Sequence, residues 1–380
     1  MLSLTPALQG RATRLVDLVK KHPGLIAIFG FLSGMASFFL VERKESLAQV
    51  IALIMLAGWA WLLLENWLRA GIFKRFGFEM PPAVMRFATQ LIHQESLFFT
   101  LPFFLAVTTW DHGQAGFTLL LVGCALVSLV DPIYYNWLAP RRSLFVAFHA
   151  LTLFAVLLVV IPLILHLSTS QSLWLALILA LLFSLPSLGG LVPNGYWWRI
   201  PVLVLMLSAM ALGTWKAREW IPPAALRVTG ITLSHHVDRE KREPGESINR
   251  ISAQSLRQEG LYAWTSVRVP RGLREKIHHV WLMDGKEVDR ITLDINGGRD
   301  EGYRAWTHKR NFPANPVGRW QVRVVTDSGQ LVGLTRFTVT ESPPEETTFT
   351  ETLAAPEQTA EVLLEDVEFG LDFEVEITPE

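Results

Sequence analysis

Long apolar segments separated by short polar connections dominate the first 214 residues. A helix needs about 20 mostly apolar residues to cross a bilayer, and Leu151–Leu165 carries no charge and no polar face. The pattern predicts an all-α membrane bundle of about seven transmembrane helices over residues 24–214, preceded by a basic N-terminus at residues 1–23. The candidate spans are Gly24–Val41, Leu47–Leu68, Ala88–Thr109, Ala115–Tyr135, Leu144–Leu167, Ser172–Leu188 and Trp198–Thr214.

Lysine and arginine residues are unevenly distributed among the predicted connections. An N-terminus on the inner side places eleven of these positive residues inside and two outside, as the positive-inside rule requires. With seven helices, the C-terminal part then lies outside. We therefore expect a multi-pass protein of a bacterial inner membrane, with a cytoplasmic N-terminus and a periplasmic C-terminal domain. A count of six or eight helices would place that domain in the cytoplasm.

From residue 215 the pattern changes to short runs in which apolar and polar residues alternate, and Asp284-Gly285 between two such runs is typical of a tight hairpin. Eight short strands in about 120 residues predict an all-β sandwich, immunoglobulin-like, over residues 215–340. The predicted strands are Leu226–Leu233, Ile248–Ser255, Tyr262–Arg268, His278–Met283, Lys286–Leu293, Tyr303–Lys309, Trp320–Thr326 and Leu331–Val339.

The C-terminal 40 residues contain two different patterns. Residues 341–360 are rich in Pro, Thr and Glu and are typical of a flexible linker. Residues 361–380 form an acidic tail in which apolar residues alternate with acidic ones from Val367 to Ile377. We expect this segment to add as a strand to the edge of its own sandwich or of a partner's sheet. The alternative is a free acidic tail.

Charge and cysteine content exclude several classes of protein. Half of the residues are apolar, which is too many for a disordered chain. The formal charge of −1 combines +5 for residues 1–214, +7 for residues 215–340 and −13 for the rest. The chain therefore lacks the net basic excess that is typical of a nucleic-acid-binding protein. The single cysteine, Cys124, excludes an internal disulfide and a cysteine-based zinc site.

Five ionisable residues fall within the predicted spans, all in the cytoplasmic third of the bilayer, where such groups are costly. Two imidazoles with carboxylates at one depth are the ingredients of a polar pocket or a proton-accessible site. The alternative is an interfacial or pairing role, since Glu65 lies one turn before Arg69. The candidates are Glu65, His93, Glu95, Asp131 and His149.

The predicted sandwich carries aromatic and basic residues on several strands. If exposed, they would form a surface for glycans or other anionic polymers; alternatively, the tryptophans fill the core of the sandwich. No catalytic motif and no grouped metal ligands are legible, so we predict no catalytic residue, metal site or cofactor. The binding candidates are His279, Trp281, Arg304, Trp306, Lys309 and Trp320.

The same strands carry a recurring tryptophan and glycine spacing: His279-x-Trp281, then Arg304-x-Trp306, then Gly318-x-Trp320-x-Val322. This spacing, over about Arg274–Thr340, resembles the bacterial domain-of-unknown-function family numbered 2914. The membrane half is similar to an uncharacterised multi-span region found ahead of this domain in proteobacteria. The resemblance implies an extracytoplasmic module and supplies no activity, substrate or catalytic residue.

Two functions remain open from the sequence. The first is an integral inner-membrane protein that presents a periplasmic β-sandwich for binding an envelope protein or glycan, without chemistry. Its expected partners are the lipid bilayer and that envelope ligand, and no nucleic acid. The alternative is a proton-linked transporter or membrane enzyme that uses the intramembrane polar residues.

Overall fold

The computed structural model describes residues 32, 49–62, 64, 82–189, 197–299 and 301–341. Four of the sequence predictions lie outside these residues: the basic N-terminus (residues 1–23), nearly all of the first span (Gly24–Val41), the candidate Glu65, and the C-terminal linker with its strand-like tail. The described helices and strands belong to one compact unit, residues 1–344.

Six helices with described bounds precede the strands. They are α1 (Gln49–Leu62), α2 (Pro82–Val107), α3 (Gln114–Leu129), α4 (Arg142–Leu165), α5 (Thr169–Gly189) and α6 (Arg199–Lys216). A π-helical segment, Ile133–Leu138, joins α3 to α4, and a 3₁₀ turn, Ala217–Trp220, continues α6. The connections between α2 and α3 and between α4 and α5 are short, which makes each pair antiparallel.

The prediction of a seven-span bundle is wrong for the described part of the chain. Two helical segments there, Arg142–Leu165 and Ile200–Trp220, are long and apolar enough to cross a membrane by length and composition. Helix α3, with 16 residues, is shorter than the roughly 20 residues that a span needs. Helix α2 is long enough, but Gln90, His93, Gln94 and Glu95 interrupt its apolar run.

Helix α4 is the centre of the helical part. Every residue from Thr152 to Leu163 is buried, and neighbouring helices α2 and α5 pack against it. An apolar run of this kind therefore serves as a core helix, a role that composition alone does not distinguish from a span. In contrast, the apolar residues of α6 are largely exposed.

The C-terminal part is a two-layer β structure, which confirms the all-β prediction for this region. One of the two main sheets has three strands in the order β1-β5-β8, and the other has five in the order β4-β10-β9-β6-β7; β2 and β3 form a separate two-stranded sheet. The strands are β1 (Arg227–Ser234), β2 (Val237–Asp238), β3 (Glu243–Pro244), β4 (Arg250–Ser252), β5 (Leu261–Arg268), β6 (Arg274–Met283), β7 (Lys286–Asn296), β8 (Tyr303–Lys309), β9 (Gly318–Thr326) and β10 (Leu331–Thr340).

The strand order resembles that of immunoglobulin domains, in which the second and fifth strands pair in one sheet. In the other sheet of those domains, the third strand pairs with the second-to-last strand, which pairs with the last, as β6, β9 and β10 do here. Trp281 lies on β6, the counterpart of the strand that carries the buried tryptophan of those domains, and it is fully buried. Together with Trp320 and Phe337 it forms the centre of the core between the sheets.

One predicted strand, Ile248–Ser255, forms over only its three central residues and then gives way to a helix. The chain pairs with β10 over only three residues of β4 and then forms α7, Ala253–Glu259. The hydroxyl of Ser252 accepts a hydrogen bond from the backbone N–H of Ser255 at 3.1 Å and so caps the helix. The hairpin at Asp284-Gly285 forms as predicted, with both residues at positive φ.

The sandwich docks directly on one end of the helices. Gln114 at the start of α3 donates to the carbonyl of Leu331 at 2.6 Å, and Arg218 after α6 donates to the carbonyl of Ser328 at 2.7 Å. Glu275 of β6 accepts hydrogen bonds from both the backbone N–H and the hydroxyl of Thr169, the first residue of α5. The helix ends at residues 107–114, 165–169 and 216–221 therefore lie on one side, facing the sandwich.

Candidate functional site

A buried chain of three polar side chains lies within the helices. The hydroxyl of Tyr134, on the π-helical segment, is 2.8 Å from Nδ1 of His93 on α2. Nε2 of the same imidazole is 2.9 Å from Nδ1 of His149 on α4. His93 is fully buried and Tyr134 nearly so. The structure thus brings together two of the five predicted intramembrane residues, which are 56 positions apart in the sequence.

Aromatic rings enclose this chain. The indole of Trp59 on α1 lies with its centroid 4.8 Å from that of His149 and donates through Nε1 to the hydroxyl of Ser96 at 2.9 Å. Phe148 contacts His93 edge to face at 5.2 Å between centroids. Neither Trp59 nor Tyr134 was among the residues predicted from the sequence, because their chemistry is evident only when α1 and the π-helical segment are packed against α2.

Asp131 connects to the same region through Gln90, one turn before His93. Gln90 donates to the carboxylate of Asp131 at 2.7 Å and to the carbonyl of Ser128 at 3.0 Å. The bond to Asp131 therefore holds the end of α3 against α2. Its partner is Gln90 and not an imidazole of the chain. Glu95 is half-buried and lies two residues after His93, a spacing that places it on a different face of α2.

The hydrogen bonds allow two proton arrangements. In one, Tyr134 donates to His93, which donates through Nε2–H to His149. In the other, His149 donates through Nδ1–H to His93, which donates through Nδ1–H to the tyrosine oxygen, and the tyrosine O–H points elsewhere. Conversion of the second arrangement to the first takes up a proton at Nε2 of His149 and releases one at the tyrosine. The chain thus has the hydrogen-bond geometry of a relay for a single proton.

A pocket of about 380 Å³ opens beside the tyrosine end of this relay. Its walls come from the beginning of α2, the π-helical segment and the beginning of α4, at the end of the helices remote from the sandwich. The lining residues are Arg86, Thr89, Tyr134, Tyr135, Ala139, Pro140 and Phe145. Arg86 supplies the cationic group of the pocket. Among the residues that the structure describes, no set of three or more His, Cys, Asp or Glu residues is arranged to hold a metal ion.

The binding candidates of the sandwich occupy different environments. His279, Trp281 and Trp320 are buried in the core, so they are not part of an exposed aromatic surface. Lys309 is buried as well and forms an ion pair with Asp289 at 2.5 Å. Arg304 and Trp306 are half-buried at the edge strand β8, and Arg304 donates to the Glu301 carboxylate at 3.0 Å.

His279 links the two sheets. Its Nε2 is 3.1 Å from the hydroxyl of Thr265 on β5, and its Nδ1 is 2.9 Å from that of Thr307 on β8. Burial lowers the pKa of His279 to about 4, so the imidazole is neutral at pH 7. Its position between the sheets gives it a structural role in the sandwich.

Two family models match the sequence. Residues 5–263 match the family of unknown function DUF5924, and residues 274–339 match the protein of unknown function DUF2914. The chain belongs to the DUF5924 family. The second match confirms the resemblance of the C-terminal part. No curated protein matches the sequence.

The boundary between the two matches does not coincide with the boundary between helices and sandwich. The DUF5924 match includes β1 to β4, α7 and the first residues of β5, whereas the DUF2914 match covers β6 to β10. The sheet β1-β5-β8 thus combines strands from both, and the sandwich of this DUF5924 member is completed by the DUF2914 residues.

Proposed function

We propose that the chain is a bacterial inner-membrane protein that presents its β-sandwich in the periplasm for binding an envelope protein or polymer, without catalysing a reaction. The helices anchor the sandwich, and their direct hydrogen bonds to it fix its orientation relative to the bilayer.

The distribution of exposed apolar side chains carries this proposal. Among the described residues, every exposed large hydrophobic side chain except Val288 lies before residue 221. On α6, Ile200 is 72% exposed and Leu205 is 68% exposed. A water-soluble surface rarely presents an apolar area of this extent, whereas lipid acyl chains would cover it.

Exposed tryptophans support a bilayer boundary at each end of the helices. Near the sandwich, Trp110 and Trp220 are about half exposed, and at the opposite end Trp137 and Trp197 are 47% and 85% exposed. Tryptophan is enriched at the two interfaces of a membrane, where its ring is in apolar surroundings and its N–H reaches water.

The arginines favour one orientation. Arg86, Arg141, Arg142 and Arg199 all lie at or near the helix ends remote from the sandwich. By the positive-inside rule these ends face the cytoplasm, so the sandwich faces the periplasm.

A topology reporter tests both parts of the proposal. Alkaline phosphatase, which is active only in the periplasm, is fused after Glu380 in the full chain, and a matched fusion after Pro140 reports on the opposite end of the helices. We expect activity from the first fusion only, and retention of the chain in the membrane after carbonate extraction. Release into the carbonate supernatant, or activity only from the Pro140 fusion, would contradict the proposal.

The ligand of the sandwich is tested with a photoreactive residue. Residues 215–340 carry a charge of +7, which favours an acidic protein or anionic polymer. Trp306, half-buried on an edge strand, is replaced by a photo-crosslinking residue in cells, with the same replacement at exposed Val288 on β7 as a control. A defined adduct at position 306 that is absent at 288 supports the proposal, and the lack of any adduct at both counts against it.

The relay of Tyr134, His93 and His149 favours a second candidate function, in which the helical part moves a proton as a transporter or membrane enzyme. The observation is the two hydrogen bonds of His93, at 2.8 and 2.9 Å. His93→Gln and His149→Gln are tested for complementation of a deletion strain, with Glu95→Gln as the matched control. Full complementation by both histidine variants would eliminate this candidate.

A further inference from the structure

The pocket beside Tyr134 combines one cationic side chain with mostly apolar walls. Arg86 and Thr89 are three residues apart on α2 and therefore share one face of the helix, which forms one wall. Ala139, Pro140 and Phe145 form the apolar part of the opposite wall. An amphipathic ligand with an anionic group matches this lining, because the charge and the apolar part each find a complementary surface.

Arg86 is available for such a ligand. It is exposed, and no described residue forms an ion pair with it. The neighbouring Arg141 differs, because its guanidinium lies 5.0 Å from the ring centroid of Trp137 and donates to the carbonyl of that residue at 2.5 Å. Arginine forms strong, directional hydrogen bonds to phosphate oxygens.

The position of the pocket identifies the source of the anion. It lies between helices at the arginine-rich end of the helical part, which the proposed orientation places at the cytoplasmic leaflet. This leaflet carries anionic lipids, and basic pockets between helices on this side of a membrane bind their headgroups.

We propose that this pocket binds the phosphate headgroup of an anionic phospholipid, with Arg86 as the charged contact and the hydroxyl of Tyr135 as the polar contact. The inference depends on the proposed insertion into the membrane. The proposed lipid would lie beside the relay, because Tyr134 lines the pocket and its hydroxyl is the first group of the relay.

The test measures lipid binding to the full chain purified in detergent. Native mass spectrometry follows titrations with short-chain phosphatidylglycerol, with phosphatidylcholine of the same chain length, and with inorganic phosphate. We expect saturable binding of one phosphatidylglycerol and at least about fivefold weaker binding of phosphatidylcholine, since one arginine contributes about this factor. Equal affinity for the two lipids, or equally tight binding of phosphate alone, would overturn the inference.

Two variants remove the site by different routes. Arg86→Gln deletes the charge, and Ala139→Trp fills the pocket while the charge is kept. Each is expected to lower the affinity for phosphatidylglycerol about five- to tenfold. Arg142→Gln, at an exposed arginine of the same end that does not line the pocket, should leave the affinity unchanged. An equal loss in all three variants would indicate general surface charge and refute a built site.

Carbonate extraction of the wild-type chain separates the two proposals. If the wild-type chain stays in the membrane but does not distinguish the lipids, only the lipid site is refuted. If it is released, the membrane proposal fails, and the lipid ligand fails with it.

Discussion

The carboxylate of Glu275 accepts two hydrogen bonds from Thr169, so a strand of the sandwich is bonded to the N-terminus of α5. Glu275 is only 3% exposed, and burial raises its pKa to about 7 although both hydrogen bonds act in the opposite direction. The nearby charge of Asp327 raises it further. This junction is therefore sensitive to pH near neutrality.

The first prediction concerns this pH dependence. Because the folded state binds the proton of Glu275 more tightly than the unfolded state, its contribution to stability is full below about pH 4.5 and is lost as the pH rises to about 7. The difference amounts to at most about 3 kcal/mol. Glu275→Gln keeps a side-chain oxygen for Thr169 and removes the titration. Between pH 5 and 8, the melting temperature of the full chain should fall more steeply with rising pH for wild type than for the variant. Equal slopes of melting temperature against pH would contradict the role of Glu275.

A second prediction has the opposite sign. The pKa of His279 is lowered to about 4 by burial, so the unfolded state binds the proton more tightly. The stability contributed by neutral His279 is present above about pH 6.5 and is lost as the pH falls towards 4. His279→Gln should destabilise the protein by about 2 kcal/mol at pH 7, because it disturbs the bonds to Thr265 and Thr307, and it should reduce the loss at acidic pH. Tryptophan fluorescence during urea unfolding at pH 7 and pH 5 measures both effects. The substitution His236→Gln, at an exposed histidine, is the control. It should change neither the stability at pH 7 nor the loss of stability at pH 5.

A third prediction concerns a close approach of backbones in the sandwich. A Cβ atom at Gly297 would lie 1.8 Å from the carbonyl oxygen of Pro270, which is far inside van der Waals contact. Gly297→Ala should therefore destabilise the sandwich by more than about 3 kcal/mol or prevent its folding. Gly116→Ala in α3, where a Cβ meets no atom within 4 Å, is expected to be neutral or slightly stabilising. Thermal unfolding compares the two, and a similar melting temperature for both would show that the backbone relaxes freely.

The fourth prediction concerns the tyrosine end of the relay. Tyr134→Phe removes the hydroxyl that bonds Nδ1 of buried His93 and should destabilise the helical part by about 1–3 kcal/mol. Tyr135→Phe, at the adjacent and less buried tyrosine, should cost less than about 1 kcal/mol. Differential scanning fluorimetry in detergent provides the comparison. Equal melting temperatures for the two variants would argue that the Tyr134–His93 bond contributes nothing to stability.

Local pattern predicted the sandwich well. Alternation placed β1 and β5 to β10 to within a few residues, and Asp284-Gly285 defined the hairpin, because both signals depend only on neighbouring residues. Helix α7 was not predicted. The Ser252 hydroxyl caps its first turn and so favours a helix where the residue pattern indicated a strand. The predicted number of membrane spans was wrong because hydrophobic content does not fix helix length: α3 has only 16 residues, and polar residues interrupt the apolar run of α2.

The sequence by itself determined which segments are apolar, the two-layer β character of residues 227–340, and the two imidazoles as costly groups in apolar surroundings. Only the tertiary structure decided that His93 and His149 share a hydrogen bond, that Trp281, Trp320 and Lys309 are buried, and that Glu275 meets Thr169. Each of these pairings joins residues distant in sequence, and it depends on how whole helices and sheets pack. No local pattern encodes that packing, because one apolar face fits protein and lipid equally well.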